Sequence, residues 1–174
     1  DNKLKCDWAI LRPTSIWGPW FDTYKDFFKM IMAGKYITFG KTLSTKTYGF
    51  IGNVVYQIER LLMSDTSNNK FEERIFYLGD KPDYNINEWG REIAEICGKK
   101  IPKIPFFVVR LAAYIGDIVK IFGIMPPISS YRLKNMMTNN IMDVSSTFRY
   151  APNPPYTRKQ ASAITINWIK DNNI

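Results

Sequence analysis

The sequence predicts an α/β chain, mostly helical with a few short strands, and three observations carry that expectation. The apolar run Ala9-Ile10-Leu11 stops at Pro13, which has no N–H to give to a strand ladder. A second apolar run at residues 74–78 is closed by the turn residues Gly79-Asp80-Lys81-Pro82. The remaining apolar residues recur mostly at helical spacing between glycine and proline breaks.

Taken in order, residues 9–11 read as a strand buried on both faces. Two hydroxyls, Thr14 and Ser15, and two indoles, Trp17 and Trp20, follow its C-terminal edge, which is where open α/β sheets place their ligands. Residues 22–34 read as a helix, with Phe27, Phe28, Ile31 and Met32 on one face and Gly34 as its stop. Residues 37–46 show little pattern and read as a loop. Residues 47–51 read as a short strand, after which Asn53 is expected to cap a helix burying Val54, Val55, Ile58, Leu61 and Leu62. Residues 64–70 are polar and read as a surface loop.

The strand at 74–78 leads into a helix at 85–97, where Ile86, Trp89, Ile93 and Ile96 share a face and Gly98 follows. Pro102 and Pro105 bracket a linker to residues 106–122, which are apolar enough to raise the question of a membrane. Arg110, Asp117 and Lys120 interrupt that stretch, and no run approaches the roughly 18 apolar residues of a spanning helix, so no span is expected and the helix reads as buried or interfacial. Gly123 and Pro126-Pro127 break the chain before a helix at 129–137. Asp143-Val144-Ser145-Ser146 opens a short segment, and the proline-rich residues 151–155 lead to a last amphipathic helix at 157–170. There is no internal repeat.

Composition narrows the function classes. With 45% hydrophobic and 15% aromatic residues the chain is ordinary globular material, and one domain is the default count. Lys and Arg outnumber Asp and Glu by 24 to 16, a balance that favours phosphates, nucleic acid or a membrane surface as partners. The basic residues are dispersed and no block of like charge occurs, so a nucleic-acid partner is not expected. The chain has no histidine, which excludes a Cys/His zinc site and any Ser-His or Cys-His pair within it; no metal site is expected. Cys6 and Cys97 are expected to be free thiols of a cytoplasmic protein. The opening at Asp1, without an initiator Met or a signal segment, leads us to expect a fragment.

Three segments carry a family resemblance. Residues 8–20, Trp-Ala-Ile-Leu-Arg-Pro-Thr-Ser-Ile-Trp-Gly-Pro-Trp, resemble the Leu-Arg-Pro-x-x-x-Tyr-Gly-Pro pattern of the extended short-chain dehydrogenase/reductase family, the NAD-dependent epimerases and dehydratases of nucleotide sugars. Residues 46–55, Lys-Thr-Tyr-Gly-Phe-Ile-Gly-Asn-Val-Val, resemble its Arg-Asp-Phe-Val-x-Val-x-Asp-Val-Ala segment. Pro152, Pro155, Ala161, Ile164 and Trp168 resemble its closing loop and helix. The order of the three is more specific than any one of them.

The resemblance implies that residues 1–174 are the C-terminal substrate-binding part of a Rossmann-type enzyme, comprising the last part of the sheet and a helical subdomain, with the N-terminal NAD-binding half absent. It implies that Pro13 and Thr14 meet the nicotinamide ribose end of NAD or NADP and that Ser15 faces the substrate. It places Lys46 and Arg132 at a diphosphate, and leaves Trp17 and Trp20 to stack on a base or sugar. Each has a plainer alternative: turn hydrogen bonds for Thr14 and Ser15, solvated surface for Lys46 and Arg132, and core for the indoles. Asn53 stands where the family has Asp.

No catalytic residue is expected in this chain. Tyr77 and Lys81 match the family's Tyr-x-x-x-Lys spacing, yet Gly79 and Pro82 oppose the helix that the pair requires, and no Gly-x-Gly-x-x-Gly is present. The function implied is a share in an NAD(P)-dependent epimerase or dehydratase acting on a nucleotide sugar or another anionic sugar diphosphate, inactive as an isolated chain and forming a homo-oligomer. A steroid-type or carbonyl reductase of the same family, and a non-catalytic binding domain, are the alternatives.

Overall fold

The computed structural model describes residues 8–39, 44–65, 71, 73–123, 126 and 128–172. In chain order the elements are β1 (Ile10–Pro13), β2 (Ser15–Trp17), α1 (Lys25–Met32), β3 (Thr38–Phe39), β4 (Thr45–Lys46), β5 (Tyr48–Phe50), α2 (Ile51–Asp65), β6 (Ile75–Leu78) and β7 (Tyr84–Asn85). They continue as α3 (Ile86–Ile96), β8 (Lys103–Ile104), α4 (Phe106–Ile121), α5 (Ser130–Met137), α6 (Ser145–Tyr150) and α7 (Arg158–Asp171). The chain folds as two compact units, the first of residues 1–25, 47–83 and 141–174, the second of residues 26–46 and 84–140.

In the first unit β1 runs parallel to β6, with Leu11 opposite Phe76 and Pro13 opposite Leu78. Beside this, β2 runs parallel to β5, with Trp17 opposite Phe50. Parallel strands need a long connection, and α2 lies on the one that runs from β5, the partner of β2, to β6, the partner of β1. Val54 and Leu61 on α2 pack with Phe76 and Leu78 on β6, and Leu11, Ile16, Ile58 and Tyr150 close around them. The last helix, α7, starts at a capping box in which the Thr157 hydroxyl and the Gln160 side chain satisfy each other's backbone N–H groups.

The second unit is built on aromatic packing. Trp89 of α3 is fully buried, with its ring 5.2 Å from that of Phe27, 5.7 Å from Phe28 and 5.2 Å from Tyr84. Two-stranded pairings tie it together: β3 with β8 in parallel, and β4 with β7 antiparallel. A second cluster joins Val109 and Ala113 of α4 to Leu133 of α5, with Phe39, Ile104 and Ile128 against it.

Several expectations are corrected. The strand extends through Pro13, and it is not buried on both faces: Ile10 is 42% and its partner Ile75 40% exposed. The first helix begins at Lys25, because Tyr24 takes a left-handed φ of 68° that a right-handed helix cannot include. Residues 37–46 contain β3 and β4, and the linker between the prolines contains β8. Asn53 lies inside α2 and caps nothing. Ser64 and Asp65 complete α2, while residues 66–70 of the expected loop, Cys6 and Pro127 lie outside the described residues. Of the two readings of the helix at 106–122 the buried one is corrected: α4 buries only a narrow side, and most of its large apolar residues are exposed.

Candidate functional site

The C-terminal ends of β1 and β6 lie side by side, and the residues that follow them form the edge where the sequence places a ligand. Thr14 N donates to Leu78 O at 2.9 Å, which carries the chain from β1 into β2. The Thr14 hydroxyl is buried and finds no hydrogen-bond partner among the described residues. A buried hydroxyl left in that state costs about 1–3 kcal/mol. Gly79, next along from Leu78, packs against it so closely that a Cβ there would stand 2.9 Å from Thr14 Oγ1, 2.9 Å from Thr47 Cγ2 and 3.1 Å from Tyr48 O. Glycine is therefore the residue this approach requires. Ser15 is exposed and opposite Tyr48, and Pro13 is the exposed last residue of β1.

The motif's second half is a turn. Gly18 has φ +128°, and Trp20 is held at a left-handed φ of 72°, both conformations that L side chains rarely adopt. The two indoles differ in environment. Trp17 is fully buried with its ring 5.1 Å from Phe50, a core position that gives it no stacking face, whereas Trp20 is 81% exposed beside Trp168. The ring of Trp17 thus takes the core position that was its plainer reading, while that of Trp20 is left open.

Lys46 and Arg132 both belong to the second unit and meet at one short helix. Lys46 Nζ donates to Asn135 O at 3.0 Å, near the C-terminal end of α5, where the helix dipole favours a cation. Arg132 lies on α5 one turn earlier, its backbone N–H bonded to the cap residue Ser129. The ammonium of Lys46 therefore has a structural task as well as two further N–H donors.

Tyr77 and Lys81 do not share a helix. Tyr77 lies in β6 with its hydroxyl accepting from Arg12 Nη1 at 3.1 Å, and Lys81 Nζ donates to Ser145 Oγ at 2.8 Å. The Asp143 carboxyl accepts from Ser145, and these hydrogen bonds, with smaller help from Lys81 and Arg149, hold it below the usual carboxylate range.

Sequence reasoning missed the residues that build the floor of this edge. Asp80 is buried, accepts from Phe50 N at 2.9 Å and Asn53 Nδ2 at 2.8 Å, and donates its own N–H to Tyr48 O. Gln57 is fully buried and reads Gly79 with both ends of its amide, Nε2 to the carbonyl at 2.7 Å and Oε1 from the N–H at 3.1 Å. The Thr47 hydroxyl donates to Asp83 Oδ1 at 2.6 Å and accepts from Met142 N at 2.8 Å. For Gln57 the signal in the sequence was a polar residue beside the expected buried side of α2, while Asp80 stood only as a turn residue and nothing local marked Thr47.

Short parallel strand pairs joined through helices and ending in a glycine-tight edge make this a mixed α/β fold, mostly helical with few short strands. No protein-family model matches the chain. It is similar, at 28% identity over 164 residues, to the N-acetyl-α-D-glucosaminyl-diphospho-ditrans,octacis-undecaprenol 4-epimerase of Escherichia coli O157:H7, with 92% of this chain and 48% of the relative aligned. The chain thus spans about half the length of the curated relative it matches. Its fold is shared with the UDP-glucuronic acid 4-epimerase of Bacillus cereus solved with NAD, at TM-score 0.61 and 14% identity over 94% of this chain and 43% of that one. The UDP-glucose 4-epimerase of Thermotoga maritima aligns at TM-score 0.59 and 15% identity over 95% and 47%, and the dTDP-glucose 4,6-dehydratase of Bacillus anthracis with NAD at 0.57 and 14% over 95% and 45%. The resemblance to extended short-chain dehydrogenase/reductase epimerases therefore holds in sequence and in fold.

Proposed function

We propose that this chain is the C-terminal, substrate-binding portion of an NAD-dependent epimerase acting, on the cytoplasmic side, on a sugar carried by a diphosphate. The buried hydroxyl of Thr14, which has no hydrogen-bond partner among the described residues at the C-terminal edge of β1, carries the reading: it is a polar group that a ligand atom there would satisfy. The residues present fit a dinucleotide's nicotinamide end, with Pro13 and Thr14 holding it and Ser15 turned to the substrate. NAD, when bound, supplies reversible hydride chemistry. The chain's own part is to bind and orient, since its Tyr77 and Lys81 do not form a proton-transfer pair. Lys46 and Arg132 supply cationic donors for the diphosphate, Lys46 as a point charge in place of a two-pronged guanidinium. The relative from Escherichia coli and the sugar-nucleotide enzymes of like fold support a sugar diphosphate as substrate.

Thr14→Val in the protein as its gene encodes it tests the reading. Valine keeps the shape and removes the unpaired hydroxyl, so thermal stability is expected to hold or rise while NAD binding weakens about fivefold to tenfold, the worth of one hydrogen bond. Unchanged NAD affinity overturns the assignment. The 174-residue chain alone is expected to show no turnover of nucleotide- or polyprenol-linked N-acetylhexosamine.

A further inference from the structure

The helix α4 is turned the wrong way round for a helix that faces water. Its buried positions are small, Val109, Ala113 and Gly116, and pack on α5 and the segment before it. Its large apolar residues face outward: Phe107 is 70% exposed, Leu111 59%, Ile115 53%, Ile118 58%, Ile121 81% and Phe122 78%. These recur at helical spacing, so they form one continuous stripe rather than the scattered single residues every surface carries.

Charge says what covers it. Residues 26–46 and 84–140, the unit that holds α4, carry twelve of the 24 basic residues but only five of the 16 acidic ones. The other unit is close to neutral, with twelve basic and eleven acidic residues. From residue 99 to 140 the single acid is Asp117, and its carboxylate is occupied by Ser130 N at 3.1 Å. Lys99, Lys100 and Lys103 are exposed just before the helix, and Arg110 and Lys120 on it. A second copy of the same face would bring like charges together. Between α4 and α5 the stripe continues into a groove of about 320 Å³, whose lining includes Phe106, Leu133 and Met137 together with Arg110 and Lys134. The Arg110 guanidinium lies over the Tyr114 ring at 5.6 Å from its centre and donates to the Tyr114 hydroxyl at 3.1 Å, which leaves further N–H donors of its fork for an anionic headgroup.

We propose that α4 is an interfacial helix that seats this protein on an anionic lipid bilayer, with the apolar stripe at the level of the acyl chains and the flanking lysines and arginine among the headgroups. Among the described residues no helix is long and apolar enough to cross a membrane. The 16 residues of α4 extend about 24 Å, short of the roughly 30 Å hydrocarbon core, so the helix lies in the interface. Phe107 and Phe122, exposed near its two ends, lengthen the apolar face that such a helix sinks into the acyl boundary.

The test is co-sedimentation of the protein, as its gene encodes it, with vesicles of phosphatidylcholine alone and of phosphatidylcholine with phosphatidylglycerol. Binding to the anionic vesicles that weakens with salt is expected, with little binding to the neutral ones. Leu111→Ser/Ile118→Ser is expected to reduce it at least tenfold, and Lys100→Gln/Lys120→Gln about fivefold per lysine. All four positions are exposed, and an unchanged circular dichroism spectrum certifies that the variants fold. Failure to bind anionic vesicles, or binding indifferent to the serine pair, overturns the proposal. So does a lipid-free oligomer of the wild-type protein that the serine pair dissociates in sedimentation velocity, since a second copy then covers the stripe.

Discussion

Asn53 and Asp80 are joined by a buried hydrogen bond of 2.8 Å from Asn53 Nδ2 to Asp80 Oδ1, and the same amide exchanges two more bonds with the backbone of Tyr156, at 2.9 and 3.0 Å. One side chain thus ties the turn after β6, the start of α2 and the approach to α7. Asn53→Ala is expected to lower the unfolding free energy by about 2–3 kcal/mol, because it strips partners from a buried carboxylate and a buried backbone at once. Asn53→Asp, the residue of the family pattern, sets a second carboxylate against Asp80 and is expected to cost at least as much at neutral pH. Urea denaturation of both variants gives the comparison; an Asp variant as stable as wild type contradicts it.

Gln57 makes the same kind of bond to the glycine edge. Gln57→Leu leaves the N–H and C=O of Gly79 buried without their partner, so a loss of about 2 kcal/mol or more is expected in equilibrium unfolding. Because Gly79 abuts Thr14, ligand binding at that edge should weaken in parallel.

Tyr36 supplies a pH dependence with a definite sign. It is 8% exposed, and burial pushes its phenol from the ordinary 10 up to about 12. The folded state prefers the neutral phenol, so this contribution is fully present below pH 10 and is lost as pH rises toward about 12, by roughly 2–3 kcal/mol in all. Unfolding measured at neutral pH and at intervals across that window should show the decline in the wild-type chain and a shallower one in Tyr36→Phe. Parallel curves would contradict the assignment.

Gly116 is a helical glycine whose replacement should not help. In an open helix Gly→Ala stabilises by about 1 kcal/mol. Here the new Cβ would run into Ile128 O and lie 3.1 Å from Pro126 Cβ, so α4 must part from the segment leading to α5. Gly116→Ala is expected to destabilise by about 1–3 kcal/mol, read as a lowered Tm. A Tm equal to or above that of wild type would mean that the approach is looser.

The sequence by itself determined what is local. Asn85, Ser129 and Thr157 stand at the heads of the helices expected there and cap them, because a cap and the N–H groups it satisfies lie within three residues of one another. The strand after residue 74 and the break at Gly79 were legible for the same reason, and so was the failure of Tyr77 and Lys81 to share a helix. The tertiary structure alone decided what depends on residues far apart in the chain. The two-residue strand β3 exists only because β8, far along the chain, pairs with it, and neither has enough pattern to announce itself. Trp17 and Trp20 look alike in the motif, yet the packing of Phe50 buries one and leaves the other in solvent. The apolar pattern of α4 was visible, but which side of it faced the core was set by the small residues that Ile128 and Leu133 approach. The candidate site follows the same division: Thr14 was legible from its place after a strand, while its unpaired hydroxyl, Gly79 beside it and the Gln57 and Asp80 bonds beneath arise from contacts that no stretch of sequence contains.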